Sequence, residues 1–333
     1  MTSHSGFFDL GDAAIRLVTP DAETIKSLQG FFDPYVPTIA HAEDFYQLTT
    51  VFDPRLFEAT KTSLPATPDC EIVTTLQHDL EYQLKCFKSS EGMLIYDEQL
   101  QVIYHVREQT TQVVATEGSR VRTALLRIIR GAWILGQAGL ILHGCALEKN
   151  GNGIIISGDK YAGKTTSLLS LSLKGYNIIA NDRLLLSQSG VARGIPTVVK
   201  LRPRTLTSFP PLRHLLDWPI FGVSDLAREL KVMVKKEAAI KAMTFLRYDE
   251  SLRAPVFRKL SLDEASRVLS SHLFARREYE WVKLMKIGDS VPDPTEVRIP
   301  SVMSCFRVSC NENHTDEVAR RLDDWCQTPG LAR

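Results

Sequence analysis

A glycine-rich segment in the middle of the chain constrains the fold more than any other feature. Residues 158–166 have the sequence GDKYAGKTT, which fits the phosphate-binding P-loop pattern G-x-x-x-x-G-K-[ST]. The apolar residues 154–157 predict a buried strand before it, and residues 167–173 predict a helix after it. The motif requires this strand–loop–helix order, because the loop amides and the helix N-terminus form the anion site together. The sequence therefore predicts a nucleotide-binding α/β unit rather than a structural glycine-rich turn.

Each position of this segment has a predicted role. Gly158 and Gly163 let the backbone turn tightly and approach phosphate oxygens, and the amides between them point inward. Lys164 brings a positive charge to the β- and γ-phosphates, and Thr165 offers a hydroxyl to Mg²⁺. We expect nine residues to bind ATP: Gly158, Asp159, Lys160, Tyr161, Ala162, Gly163, Lys164, Thr165 and Thr166.

The segments on either side predict the strands that surround this loop. Residues 140–147 are apolar, and the polar residues 149–153 follow them, which indicates a hairpin with the strand of the P-loop. Residues 176–180 predict another strand, which leads directly to Asp182. An acid at the end of a strand next to the P-loop strand is the expected second Mg²⁺ ligand. We therefore predict that Thr165 and Asp182 hold the metal.

The run from residue 142 to residue 186 resembles the catalytic core of the HPr kinase/phosphorylase family. That family carries a His-Gly pair, then G-D-S-G-x-G-K-[ST], then an Ala-Asp-Asp-Arg-type turn, and this chain has His143-Gly144, the P-loop, and residues 180–183 (ANDR). The resemblance implies an α/β P-loop kinase core of the HPr kinase/PEP carboxykinase-like type. It implies ATP and Mg²⁺ as cofactors and γ-phosphoryl transfer to a hydroxyl. It also implies that His143, Lys164 and Asp182 are catalytic.

The chain departs from the family pattern at three places. Asn181 replaces the first acid of the Asp-Asp pair, and an asparagine cannot accept a proton at neutral pH. Either Asp182 both holds the metal and accepts the proton, or His143 assists in proton transfer, or proton transfer is not critical. Lys160 and Tyr161 replace Ser-Gly, and no Glu-Ile-Arg-Gly-Leu-Gly-like segment follows the core. We therefore predict a divergent member, not the HPr-regulating enzyme itself.

The expected enzyme is a phosphotransferase whose acceptor is an alcohol group. The acceptor would be a serine of a peptide or protein, or a small-molecule alcohol. Two alternatives remain open, a non-catalytic nucleotide-binding regulatory module and a nucleotide hydrolase. Against a GTP-dependent switch, the chain has no Asn-Lys-x-Asp segment for guanine.

A basic cluster after the core has two interpretations. Lys200, Arg202 and Arg204 alternate in part, with Pro203 between the arginines. The proline favours an edge or a loop, and the basic residues would then share a solvated face. Alternatively, Arg202 and Arg204 form a charge clamp on the γ-phosphate or on an acidic substrate.

The chain is predicted to contain two regions. Residues 1–118 form a strand-rich α+β N-terminal region, a candidate substrate-recognition or accessory domain, and residues 119–333 form the HPr kinase-like domain. Residues 54–69 are predicted to be loop, because prolines stand at 54, 65 and 68. We expect late elements to complete the sheet of the P-loop: a helix from Ser261 to about Arg276, a strand over 304–309 and a helix over 315–325.

Composition indicates a cytoplasmic enzyme. With a net charge of +1, there is no electrostatic case for nucleic acid or a membrane surface as a partner. The chain has no apolar run of membrane-spanning length and no secretory signal at its start. Its six cysteines are sparse for 333 residues, as in a reduced compartment, and Cys305, Cys310 and His314 lack a fourth zinc ligand. From the resemblance we also expect that the protein forms a homo-oligomer.

Overall fold

The computed structural model describes residues 3–75, 81–217, 222–291 and 298–327. The chain divides into two compact units, each built from two segments of sequence. Unit 1 contains Met1–Gln137 and Ala275–Pro292, and unit 2 contains Ala138–Phe274 and Asp293–Arg333. The first change of unit therefore falls after Gln137, not after residue 118 as expected. The role of residues 1–118 in substrate recognition stays a prediction.

Unit 1 contains one large mixed sheet. Its strands are β1 (His4–Asp9), β2 (Ala14–Thr19), β3 (Thr38–Ile39), β4 (Tyr46–Phe52), β5 (Cys70–Thr75), β6 (Glu81–Ser89), β7 (Gly92–Asp97), β8 (Val102–Val106) and β9 (Thr110–Ala115). Their spatial order is β3-β1-β2-β4-β9-β8-β7-β6-β5. The pairs β2–β4 and β4–β9 are parallel, and the other pairs are antiparallel.

The helices of unit 1 are α1 (Ala22–Phe32), α2 (Pro54–Ser63), α3 (Gly118–Leu135) and a 3₁₀ helix (Arg276–Met285). Helix α3 packs on β9 and on that 3₁₀ helix, and for this reason it belongs to unit 1 and not to unit 2. The prediction of a loop over 54–69 was wrong for its first ten residues. Pro54 occupies the first helical turn, where its missing N–H is not needed. The Asp53 carboxylate caps the helix by accepting from the amide of Arg55 at 2.8 Å.

Unit 2 contains two sheets that share two long strands. Its strands are β10 (Leu140–Lys149), β11 (Asn152–Gly158), β12 (Asn177–Ala180), β13 (Arg183–Leu186), β14 (Val191–Gly194), β15 (Glu237–Tyr248), β16 (Val256–Leu260) and β17 (Ser304–Cys310). One sheet has the order β12-β10-β11-β15-β17-β16, and the other has the order β10-β13-β14-β15. The P-loop strand β11 is parallel to β15, which is parallel to β17. The late strand thus completes the sheet of the P-loop, as expected.

The helices of unit 2 are α4 (Lys164–Ser172), α5 (Pro203–Ser208), α6 (Val223–Leu230), α7 (Leu262–Ser270) and α8 (Thr315–Gln327), with 3₁₀ helices at Pro210–Asp217 and Glu312–His314. Helix α7 ends at Ser270, six residues before the predicted end. Both faces of β11 are buried: Ile154 and Ile156 join one apolar cluster, whereas Ile155 joins another. This is the strand alternation expected of a central strand covered on both sides. Among the described residues, no helix is long and apolar enough to span a bilayer.

Candidate functional site

The P-loop connects β11 to α4 and needs its two glycines. Gly158 has φ +140°, and a Cβ there would lie 2.2 Å from the carbonyl oxygen of Leu246 on β15. Gly163 has φ +95° and forms the N-cap of α4. Both residues adopt left-handed backbone that favours glycine. The predicted strand–loop–helix order is confirmed, and the loop seats directly against the neighbouring strand.

Lys164 begins helix α4 and turns back into the loop. Its Nζ donates to the carbonyl oxygens of Gly158 at 2.8 Å and Asp159 at 2.9 Å. Burial lowers the pKa of Lys164, while the charges of Asp182 and Asp159 oppose this effect. The ammonium therefore lies in the concavity of the loop, within the electrostatic reach of the acid predicted to hold Mg²⁺.

The other loop residues surround this lysine. The amide of Ala162, which is buried, donates to Asp159 O at 3.2 Å. Thr165 and Thr166 follow in the first turn of α4 and are partly buried. Beneath this turn, the thiol of Cys145 on β10 donates to Lys164 O at 3.5 Å, and burial raises the pKa of that thiol to about 12. Cys145 is thus a neutral anchor between β10 and the start of α4.

Tyr161 stands at the exposed tip of the loop in an unusual backbone conformation. Its φ is +72°, and its side chain is 68% exposed. The guanidinium carbon of Arg202 lies 3.9 Å from the ring centroid, and Lys160 Nζ lies 5.9 Å from it. Left-handed backbone costs a residue with a Cβ roughly 1–2 kcal/mol, and an exposed cation–π contact contributes about 0.5–1 kcal/mol. The contact with Arg202 offsets only part of the backbone cost.

Arg202 therefore contacts the loop through Tyr161, and its role in a charge clamp stays a prediction. It occupies the N-cap position of α5, and Pro203 follows it at the first helical position. The prediction of an edge strand or loop was wrong for Pro203, which begins this short helix. Arg204 lies in α5, but its side chain lies outside the described residues, so its part in a clamp stays a prediction.

The acid predicted to hold the metal lies beside the His-Gly pair. Asp182 connects β12 to β13, and its backbone oxygen accepts from the amide of Gly144 at 2.9 Å. His143 Nε2 lies 3.6 Å from Asp182 Oδ1, and Arg183 Nε lies 3.8 Å from Asp182 Oδ2. A Cβ at Gly144 would lie 2.8 Å from the Ile156 carbonyl oxygen of the P-loop strand. The glycine thus permits the close approach that brings His143 and Asp182 to the side of the P-loop.

A short segment after α7, residues 272–274, lies along β10 and was missed by sequence reasoning. The amide of His143 donates to His272 O at 2.8 Å, and the amide of Phe274 donates to Ile141 O at 2.9 Å. The Phe274 ring centroid lies 4.1 Å from the Arg183 guanidinium carbon and 5.4 Å from the His143 ring centroid. Phe274 therefore covers both neighbours of Asp182.

His272, in the same segment, interacts electrostatically with Asp159 and Lys164 of the loop. Its ring stacks on Phe245 of β15, with 6.1 Å between centroids. Burial lowers the pKa of His272, and the charge of Lys164 lowers it further, against the opposing effect of Asp159. The imidazole is therefore neutral at pH 7. No motif marks this residue in the sequence, because it comes more than a hundred positions after the P-loop.

The donors near the loop fit Mg²⁺ better than a softer metal ion. Among the described residues, His, Cys, Asp and Glu side chains form no group of three or more that could hold a metal ion. Thr165 and Asp182 supply a hydroxyl and a carboxylate, which are hard oxygen ligands. Mg²⁺ is usually held by one or two such groups together with waters and substrate phosphates.

Comparison with known proteins agrees with these features. Over 86 residues the chain is 31% identical to the HPr kinase/phosphorylase of Limosilactobacillus reuteri (strain DSM 20016). This stretch covers 26% of this chain and 24% of that protein. The same values hold for the HPr kinase/phosphorylase of Limosilactobacillus reuteri subsp. reuteri (strain JCM 1112). Over this stretch the chain resembles HPr kinase/phosphorylase, at the low identity of a divergent sequence. The resemblance predicted from the sequence is thereby confirmed.

The likeness of the chain to these proteins is limited in extent. The match spans about a quarter of the length of the curated relatives. No family model matches the chain. A solved structure, the Hpr(Ser) kinase/phosphatase from Coxiella burnetii, aligns with this chain at 14% identity and a TM-score of 0.31. The alignment covers 55% of this chain and 94% of the chain in that structure.

Proposed function

We propose that this HPr kinase-like protein is an ATP-dependent kinase that transfers the γ-phosphoryl group to a hydroxyl with Mg²⁺. One observation carries the proposal: the Lys164 ammonium in the P-loop interacts electrostatically with Asp182, whose Oδ1 lies 3.6 Å from His143 Nε2. A phosphate-binding lysine together with a carboxylate that can accept the proton of the acceptor hydroxyl is an arrangement that phosphoryl transfer to an alcohol uses.

The binding roles follow from the loop. Its amides and the N-terminus of α4 hold the phosphates of ATP, and Lys164 exchanges its two loop carbonyls for phosphate oxygens. Thr165 and Asp182 would hold Mg²⁺, which supplies charge neutralisation on the β- and γ-phosphates when it is bound. The segment 158–166 as a whole is the proposed ATP site.

The transfer step moves one proton and one phosphoryl group. The acceptor oxygen forms a bond to the γ-phosphorus, the bond from that phosphorus to the β–γ bridging oxygen breaks, and ADP leaves. The hydroxyl proton goes to Asp182, with His143 beside it as the second candidate. Asn181 is 6% exposed, and its amide cannot take this proton. In this proposal the Asp182 carboxylate therefore both holds the metal and accepts the hydroxyl proton, the two roles of the Asp-Asp pair in the family.

The proposed acceptor is a serine of a peptide or protein, or a small-molecule alcohol, and the N-terminal residues 1–118 are the proposed selector of that acceptor. All six cysteines are free thiols, and five of them are buried, which supports a cytoplasmic location. A homo-oligomer also remains a proposal.

The test is transfer of label from γ-labelled ATP in the presence of Mg²⁺. Serine-containing peptides, HPr and small alcohols serve as acceptors, and Lys164→Ala is compared with Lys174→Ala, an exposed lysine just after α4. We expect label on at least one acceptor class. Transfer should fall by about 100-fold or more in Lys164→Ala and should stay at the wild-type level in Lys174→Ala. Equal transfer by both variants would rule out the P-loop as the transfer site.

The buried Asn181 favours a second candidate, a nucleotide-binding module without catalysis. In that case the full-length protein would bind ATP and Mg²⁺, and no acceptor would gain label. The substitution of Asp182, described below, separates the two candidates.

A further inference from the structure

The tip of the P-loop has a feature that the kinase proposal does not use. Tyr161 stands where the related family has glycine, and its ring lies 3.9 Å from the guanidinium carbon of Arg202. Arg202 comes from the segment between β14 and α5, which is separate from the loop. The backbone at Tyr161, with φ +72°, would suit glycine better. A tyrosine at this position therefore requires another explanation.

The surroundings of Arg202 point to an anionic ligand. Within the described ranges, the ring of Tyr161 is the partner of its guanidinium, and no carboxylate pairs with it. The positive charge of Arg202 also acts on Lys164 and adds to the lowering of the pKa of that ammonium. Two cations that repel each other are stabilised when an anion binds between them.

The geometry of a stacked arginine leaves its donors available. The ring contacts the flat face of the guanidinium, whereas the five N–H groups point outward in the plane of the group. An arginine held in this way can still bind phosphate through two parallel hydrogen bonds. The stack also fixes a long side chain that would otherwise lose conformational entropy on binding.

We propose that Tyr161 is a positioning residue that holds the Arg202 guanidinium over the P-loop, where Arg202 binds the terminal phosphate of the nucleotide. This rests on the proposed function. The loop amides and Lys164 serve the inner phosphates and reach the γ-phosphate from within the loop. Arg202 approaches from outside the loop, so its preferred partner is the outermost phosphate.

The test compares the binding of two nucleotides to the full-length protein by titration calorimetry with Mg²⁺ at fixed salt. ADP lacks the terminal phosphate, and AMP-PNP retains it in a form that is not transferred. The variants are Arg202→Met, Tyr161→Gly, Tyr161→Phe and the double variant Tyr161→Gly/Arg202→Met. Arg213→Met, at an exposed arginine of the 3₁₀ helix Pro210–Asp217, is the matched control.

We expect Arg202→Met to weaken AMP-PNP about 10–100-fold, the range for hydrogen bonds to a charged group, and to change ADP less than twofold. Tyr161→Gly removes the ring but suits the left-handed backbone, so it should fold well and show the same selective loss. Tyr161→Phe keeps the ring and should retain AMP-PNP affinity. The double variant should bind no more weakly than Arg202→Met, because the tyrosine acts through the arginine.

Three results would overturn the positioning role: wild-type affinity in Tyr161→Gly, losses that add in the double variant, or equal losses for ADP and AMP-PNP. Selective losses without transfer to any acceptor would overturn the kinase proposal alone. A wild-type protein that binds neither nucleotide would overturn both.

Discussion

Each unit contains an aspartate beside an arginine, but the two groups are built in different ways. In unit 1, Arg127 Nη1 lies 2.6 Å from Asp97 Oδ2, and the side chains are 6% and 0% exposed. In unit 2, Asp182 is 19% exposed, and its contacts with Arg183 and His143 are 3.8 and 3.6 Å long. The first pair is short and sealed, whereas the second is longer and partly open.

The surroundings of the unit 1 pair satisfy its hydrogen-bonding groups. Arg127 also donates to Thr74 Oγ1 at 2.9 Å and to the hydroxyl of Tyr82. Asp97 accepts from Tyr82 at 2.7 Å and from the amide of Leu100 at 2.8 Å. Such a network holds one conformation, because breaking any part leaves a buried charge or dipole. It is a structural group.

The difference teaches how to separate a structural charge pair from a candidate site. Residue types do not do so, since arginine, aspartate and a nearby aromatic ring occur in both groups. Contact length and exposure do: a carboxylate that is held at 3.6–3.8 Å and is 19% exposed can exchange these contacts for a metal ion or a substrate. The predictions that follow test this difference.

The largest expected effect is on the stability of unit 1. Arg127→Met leaves Asp97 buried without its cation and should lower the free energy of unfolding by about 3–5 kcal/mol, measured by urea denaturation. Arg120→Met is the control, because its contact with Glu117 is exposed and 3.5 Å long and should matter by less than about 1 kcal/mol. Equal effects of the two substitutions would remove the distinction.

Asp182→Asn should produce the opposite pattern. We expect label transfer to fall about 100–1,000-fold, as when a group that stabilises transition-state charge is lost, while the free energy of unfolding changes by less than about 1 kcal/mol. Nucleotide binding should largely remain. A strongly destabilised variant would show that Asp182 is a structural residue like Asp97. Unchanged transfer would favour another proton acceptor.

Tyr82→Phe tests the sealed network with a smaller change. It removes one hydroxyl, which contacts both Asp97 and Arg127, and should cost about 1–3 kcal/mol in unfolding free energy. Tyr161→Phe is the matched change in unit 2, where the exposed ring needs no hydroxyl to contact Arg202. A loss of stability in Tyr161→Phe as large as that in Tyr82→Phe would contradict this comparison.

The smallest expected effect is a change in pH dependence. Burial is the main cause that lowers the folded-state pKa of His272, whereas the unfolded imidazole has a pKa of about 6.5. The unfolded chain therefore binds more protons at acidic pH, and this part of the stability is lost as the pH falls through the folded-state pKa. His272→Gln should lose less stability than the wild type between pH 7.5 and pH 5 in urea titrations. Parallel pH curves would contradict the assignment.

His105 of unit 1 gives the same sign, and burial is again the main cause. Burial lowers its pKa first, and the charge of Arg107 lowers it further. We expect nucleotide to change the pH dependence of stability in His105→Gln, which keeps His272, and not in His272→Gln. That outcome requires His272 to lie beside the ligand.

Local features of the fold could be predicted from the sequence. The P-loop, the hairpin of β10 and β11 and the strand β17 all follow from short periodic patterns and turn residues. The helix α2 could not be predicted in the same way, because a proline usually breaks a helix, whereas Pro54 occupies the first helical turn.

Contacts between parts of the chain that are far apart in sequence could not be predicted from the sequence. The stack of Arg202 on Tyr161 and the segment 272–274 beside β10 join parts of the chain that are far apart in sequence. Nothing in the residues 272–274 predicts that His272 interacts with the P-loop. The catalytic and metal-binding roles of His143, Lys164, Thr165 and Asp182 stay predictions until the variants are measured.

The split of unit 1 into two segments has a consequence for synthesis on the ribosome. The 3₁₀ helix Arg276–Met285 supplies the carbonyl of Glu278 to Thr74 and the ring of Trp281 to Arg127. The nascent N-terminal segment must therefore wait for residues 138–274 to emerge before it can close its own core. At roughly 5–20 residues per second this delay is about 7–27 s. The Arg127–Asp97 network is thus among the last parts of the molecule to be completed, although its first members leave the ribosome early.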